Sequence, residues 1–140
     1  VILVLCLEAP DGPTDHLRQG LRRGGAGRFR GGVGFCKRYQ ILSPCDLQAM
    51  FDRVKYPPWG VHGGKAGQSG RITVVRKSGE KKIIYKCKAY PLEPGDSIIV
   101  ETGGGGGYGP PLERSPELVD RDLRRGYVSA QAAARDYGRQ

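Results

Sequence analysis

The chain has 140 residues and a mass of 15.2 kDa, with 38% hydrophobic and 26% charged residues. That is the size of one domain, outside the low-apolar, high-charge signature of disorder and without any apolar run near the ~18 residues of a membrane span. Glycine is the departure: 23 residues, where average usage gives about 10, and they are clustered rather than periodic, which excludes a collagen repeat.

The net charge is +9, and most of the excess lies in residues 65–88, where eight Lys and Arg stand against Glu80 alone. Such a stretch suits phosphate binding, or a solvated strand face whose lysines guard a sheet edge.

Residues 1–7, Val-Ile-Leu-Val-Leu-Cys-Leu, read as a buried strand or the tail of a longer one. Their start on Val suggests a fragment or a processed product. Residues 10–32 read as loop, from Pro10-Asp11-Gly12-Pro13 to Gly24-Gly25-Ala26-Gly27-Arg28-Phe29-Arg30-Gly31-Gly32. The second run is either an ordered glycine loop between strands or a single RGG-type unit able to bind RNA. Residues 33–42 predict a strand, broken by Ser43-Pro44. Leu47, Ala49 and Phe51 alternate with polar positions, which suits a strand or a short helix, and Tyr56-Pro57-Pro58-Trp59-Gly60 ends it.

Arg71–Val75 and residues 83–88 predict a β-hairpin around Ser78-Gly79. Ile72 and Val74 share one face; Ile83, Tyr85 and Cys87 share a face of the partner strand. Pro94-Gly95-Asp96 is a turn, residues 97–102 a further strand, and a glycine run follows directly. Ser115-Pro116-Glu117 is a helix start, with N-cap hydroxyl, proline at the first position and an acid in the first turn. Leu118, Val119 and Leu123 form its apolar stripe, and Gly126 closes it. Ser129 caps a second short helix, Ala130–Tyr137, closed by Gly138. The expected fold is α+β, mainly β: a glycine-rich β-sandwich or open barrel followed by a C-terminal helical hairpin. Residues 1–32 form an N-terminal strand and glycine-rich loop, 33–109 the β domain, and 110–140 the hairpin.

The cysteines at 6, 36, 45 and 87 contain no C-x-x-C pair, so the common zinc spacing is absent. The histidines are His16 and His62 alone, which leaves little to activate a nucleophilic cysteine. A reduced, cytoplasmic chain is the expectation. Gly60-Val61-His62-Gly63-Gly64-Lys65-Ala66 is not a Walker motif: the leading glycine position is Trp59, and Ala66 replaces the magnesium-binding hydroxyl. Lys65 could still hold an anion as a point charge beside backbone N–H groups. Gly103, Gly104, Gly105, Gly106 and Gly107 lie between a strand and Pro110-Pro111, so they cannot form a dinucleotide-binding turn into a helix. They suit a close backbone approach.

Taken together, these motifs resemble the hydantoinase B family, which includes oxoprolinase B-type subunits and acetone carboxylase alpha subunits. Residues 24–34 resemble its GGAGRYRGGLG run. Asp52-Arg53, Tyr56-Pro57-Pro58-Trp59-Gly60-Val61 and Gly63-Gly64-Lys65 resemble its DRR-FPPWG--GGKPG segment. Leu92-Glu93-Pro94-Gly95-Asp96 with residues 102–109 resembles L-PGD…TPGGGGYG, and residues 111–138 resemble the closing PLERDPE…GYVS-E-ARRDYG. The resemblance covers residues 20–138 in order and implies the C-terminal part of a much longer subunit. It implies ATP-dependent opening of cyclic amides such as hydantoin or 5-oxoproline, or a related ketone carboxylation. It also implies a hydantoinase A-like partner subunit, the N-terminal portion of the B-type subunit, and ATP and a divalent metal in the full complex, with no cofactor bound by this segment. Arg53, Lys65, Gly63, Gly64 and the five glycines from Gly103 to Gly107 are the candidate positioning groups for substrate or anion. His62 occupies a position that is apolar in the family. A non-catalytic docking or nucleic-acid-binding module is the alternative; no membrane is expected, and nucleic acid is the less favoured partner.

Overall fold

A computed structural model describes residues 20–22 and 24–139. The expected strand at residues 1–7, Cys6 and His16 lie outside them. Seven strands, β1 (Gly20–Arg22), β2 (Gly34–Gln40), β3 (Cys45–Met50), β4 (Arg71–Val75), β5 (Lys81–Ile84), β6 (Lys86–Leu92) and β7 (Ser97–Glu101), precede a 3-10 turn (Pro111–Glu113) and two helices, α1 (Pro116–Arg124) and α2 (Ala130–Tyr137). The strands form an antiparallel sheet in the order β1-β2-β7-β4-β5 and a two-stranded sheet of β3 and β6. Neither sheet closes, which agrees with the expected α+β, mainly β fold of two open sheets followed by two helices.

The core lies between the sheets. Leu47, Ala49 and Phe51 pack in one cluster with Ile72, Val74, Ile98 and Val100, and Ile41, Ile84 and Leu92 complete it. The alternation read from residues 47–51 therefore belongs to a strand with one buried face. Ile72, Val74, Ile98 and Val100 are fully buried, as befits β4 and β7 inside the sheet.

The hairpin departs from its sequence reading. The connection is residues 76–80, closed by Arg76 N–H to the Glu80 carbonyl and Gly79 N–H to the Arg76 carbonyl, both at 2.8 Å. Ile72 pairs with Ile84, so Ile84 faces the core while Ile83 and Tyr85 are exposed. Ile83 and Tyr85 share the outer face, while Cys87 does not continue it and lies on β6 opposite Ala49 of β3. The chain also breaks at Tyr85, and residues 86–92 leave the first sheet to pair with β3. Residues 20–22, inside the predicted loop, pair with β2 instead. β5 lies at a sheet edge and carries exposed Lys81 and Lys82, the guarded-edge arrangement.

Asp96 fixes the turn into β7. Its carboxylate accepts from Arg76 Nη1 (2.6 Å), Lys77 N–H (2.9 Å) and Glu93 N–H (3.1 Å). These donors, the Glu93 amide first, hold its pKa below the usual carboxylate value. Both helices start where expected. The Ser129 hydroxyl accepts from Ala132 N–H at 3.2 Å, and Gly138 closes α2 at φ 65°. Ser115 makes no cap bond to the backbone; its hydroxyl donates to Glu117 at 2.6 Å.

Candidate functional site

The three glycine clusters do not stay apart. Residues 24–32, 58–68 and 103–109 converge into a bundle of chain segments that hydrogen-bond to one another without forming sheet or helix. Gly25 N–H donates to the Gly105 carbonyl, Lys65 N–H to Ala26, Gly107 N–H to Lys65 and Val61 N–H to Gly107, all at 2.7–2.9 Å. Methyl groups would not fit. A Cβ on Gly106 would overlap the Trp59 carbonyl, one on Gly64 the Gly107 carbonyl, and one on Gly31 the Gly105 carbonyl. None of these glycines has positive φ. Glycine is required here by crowding between backbones rather than by a left-handed turn.

The helical hairpin sits on this bundle through a small core of Ala26, Val119, Val128, Ala132, Ala133 and Tyr137 and through two ion-pair clusters. In the first, fully buried Asp122 accepts at Oδ2 from Arg30 Nε and Arg114 Nη2, both at 2.8 Å. Arg114 Nη1 also reaches the Arg28 carbonyl at 3.0 Å, and the Arg30 guanidinium lies over the Tyr127 ring at 5.1 Å. In the second, Lys65 Nζ donates to Asp136 Oδ1 at 2.8 Å, while Arg135 Nε and Nη2 grip both oxygens at 2.9 and 2.7 Å. The Arg135 hydrogen bond is the largest influence on Asp136. With Lys65 it outweighs desolvation and lowers the pKa to about 2.

This second cluster lines a cleft of about 170 Å³ between the bundle and α2, with Ala26, Gln68, Tyr127, Val128 and Tyr137 among its walls. Burial raises the Tyr137 phenol, against a lowering influence of nearby Arg114. Of the sequence candidates, Lys65 lies in this cleft. Arg53 does not line it: it stacks over Trp59 at 4.7 Å with φ 57°. Gly63 (φ 87°) turns the chain toward Gly64. The amides of Gly64, Gly104, Gly105 and Gly107 donate to the Val61, Gln68, Gly32 and Lys65 carbonyls, and Gly103 and Gly106 back onto other backbone segments. The glycine loops thus use these N–H groups within the chain. The Lys65 backbone N–H is likewise taken, by the Ala26 carbonyl. Among the described residues no His, Cys, Asp and Glu side chains form a group of three that could hold a metal.

Sequence reasoning missed Asp122, Asp136 and their arginines. A signal was present. Asp122 falls three residues after buried Val119, and Asp136 falls between buried Ala133 and Tyr137. A carboxylate on the buried stripe of a short helix requires a cationic partner.

An exposed face adjoins the bundle. Phe29 and Tyr108 pair with ring centroids 6.2 Å apart, His62 meets the Tyr108 ring edge-on at 5.0 Å, and both Phe29 and Tyr108 are more than half exposed. No helix among the described residues is long and apolar enough to cross a membrane.

The Hydantoinase B/oxoprolinase family model matches residues 15–111. An uncharacterized protein of Methanocaldococcus jannaschii is 41% identical over 114 residues, which is 81% of this chain and 20% of that protein. The caprolactamase subunit beta of Pseudomonas jessenii is 33% identical over 120 residues, 82% of this chain and 21% of that subunit. The crystal structure of the ATP-dependent caprolactamase from the same organism superposes with a TM-score of 0.70 at 26% identity, over 87% of this chain and 22% of that one. The chain spans about a fifth of the length of these relatives. Motif residues 24–32, 58–65 and 103–109 build the glycine bundle, and the chain belongs to the hydantoinase B/oxoprolinase family.

Proposed function

We propose that this chain is the C-terminal part of a hydantoinase B-like subunit in an ATP-dependent enzyme that opens cyclic amides of the hydantoin or 5-oxoproline type. It acts there as a rigid positioning segment and is not active alone. The observation that carries this reading is the glycine bundle. It supplies no metal site and few free N–H groups, but it holds a helical hairpin, a charged cleft and an exposed aromatic face in one fixed arrangement. Such preorganisation is what positioning requires. The likeness in fold to a lactam-opening enzyme supports the same reading. The partners are the N-terminal portion of the B-type subunit and a hydantoinase A-like subunit, which bring the ATP and the divalent metal.

The test is turnover of hydantoin and 5-oxoproline, with and without ATP. An A-type subunit is mixed with a full-length B-type chain carrying this segment, and in parallel with the segment alone. ATP-dependent ring opening only with the full-length chain, lost when Gly106→Ala is placed in the segment, is the expected result. Full activity of a B-type chain lacking the segment would overturn the positioning role.

A further inference from the structure

The Lys65–Asp136–Arg135 cluster is more than a brace for α2. Asp136 is buried, whereas the side chains of Lys65 and Arg135 are 53% and 63% exposed. Two cations converge on one carboxylate that stays ionised above a pH of about 2, so the cluster keeps a net charge of +1. Neither cation is saturated. An ammonium has three N–H donors and Lys65 uses one on Asp136; a guanidinium has five and Arg135 uses two there. Among the described residues no other charged side chain lines the cleft. The remaining walls combine apolar surface from Ala26, Val128 and Ala132 with the rings of Tyr127 and Tyr137. The volume of about 170 Å³ is comparable to the ~150 Å³ engineered cavity that accepts benzene.

We propose that this cleft binds a small ring-sized molecule carrying one oxyanion group, carboxylate or phosphate, with the oxyanion held between Lys65 Nζ and Arg135 and the body against Ala26, Val128 and the tyrosine rings. Charge-assisted hydrogen bonds from two cations supply the recognition, and the small apolar walls limit the size. The inference is independent of which ring the full enzyme opens, because its readout is binding to this chain.

The experiment titrates the 140-residue chain with benzoate, phenyl phosphate and the neutral isostere benzamide in low-salt buffer, by calorimetry and by amide chemical-shift mapping. Saturable 1:1 binding of benzoate or phenyl phosphate, with shifts centred on Lys65, Ala132 and Arg135, is expected, and the tighter of the two identifies the oxyanion. Benzamide should bind roughly tenfold more weakly, the scale of one lost charged hydrogen bond. Lys65→Gln and Arg135→Gln should each weaken the better anion about tenfold on the same scale. Asp136→Asn removes the competing carboxylate and should tighten it severalfold; a merely structural cluster would not produce that gain. Thermal unfolding of each variant identifies any that fails to fold, and the comparison of benzoate with benzamide on the native chain stands without them. No saturable binding, equal affinity for benzoate and benzamide, or shifts confined to Lys81 and Lys82 on β5 would each overturn the proposal.

Discussion

The two halves of this molecule solve the packing problem differently. In the sandwich, β-branched and leucine side chains from two sheets meet between the backbones, and apolar burial stabilises the contact at about 25 cal/mol per Å². In the bundle and hairpin, the largest buried apolar groups besides Tyr137 are two valines. There the segments approach until backbone meets backbone, and their N–H and C=O groups satisfy one another directly. Two buried carboxylates, each held by two cations, then fasten the hairpin. The first half tolerates changes of volume because side chains can repack. At the bundle's glycine contacts no side chain stands between the backbones to rearrange, so an added atom has nowhere to go.

The sharpest way to break this contrast is a single methyl. Gly106→Ala places a carbon on the Trp59 carbonyl and should destabilise by about 3 kcal/mol or more, beyond the usual range for overpacked cores; urea unfolding or loss of soluble folded protein checks it. Asp122→Ala is next. It leaves Arg114, 5% exposed, and Arg30 without their carboxylate and should cost about 3–5 kcal/mol. If that variant proved as stable as the parent, the ion pairs would not be what holds the hairpin. In the sandwich, Ile72→Ala should cost about 2–5 kcal/mol, with the loss read in the same denaturation series.

Smaller effects sharpen the comparison. The Asp136 pKa is lowered to about 2 from 3.8, so its contribution is complete above pH 4 and fades as pH falls toward 2. With Lys65 and Arg135 half exposed it should amount to about 1 kcal/mol. The stability gap between the parent and Asp136→Asn should therefore narrow between pH 4 and 2. The smallest effect is expected at Gly32→Ala. A Cβ there meets nothing within 4 Å and φ is not positive, so the change should stay within about 0.5 kcal/mol. Gly31 and Gly32 are neighbours in sequence, and the difference between their alanine variants isolates crowding from glycine content.

Much of the sandwich was legible in order. The alternation at Leu47, Ala49 and Phe51 predicts a strand because a half-buried pleat imposes period two. The caps at Ser129 and Gly138 mark α2 because helix ends leave polar groups that only certain residues satisfy. The β4–β5 hairpin was legible around Ser78-Gly79, but not that its second strand starts at Lys81 and ends at Ile84 before the chain leaves for the other sheet. The candidate site was legible only in part. Lys65 was marked by its glycine loop, but its partners Arg135 and Asp136 lie about 70 residues away.

The sequence by itself determined that glycine clusters punctuate a mainly β chain, that two capped helices follow, and that the ordered motifs belong to one family. These are local properties, carried by periodicity, caps and residue order. The tertiary structure decided what the glycines are for. Three clusters, far apart in the chain, meet in one bundle where Cβ atoms are excluded, and that meeting sets Lys65 against α2. Local sequence shows where a side chain is missing; only the fold shows which backbone fills its place.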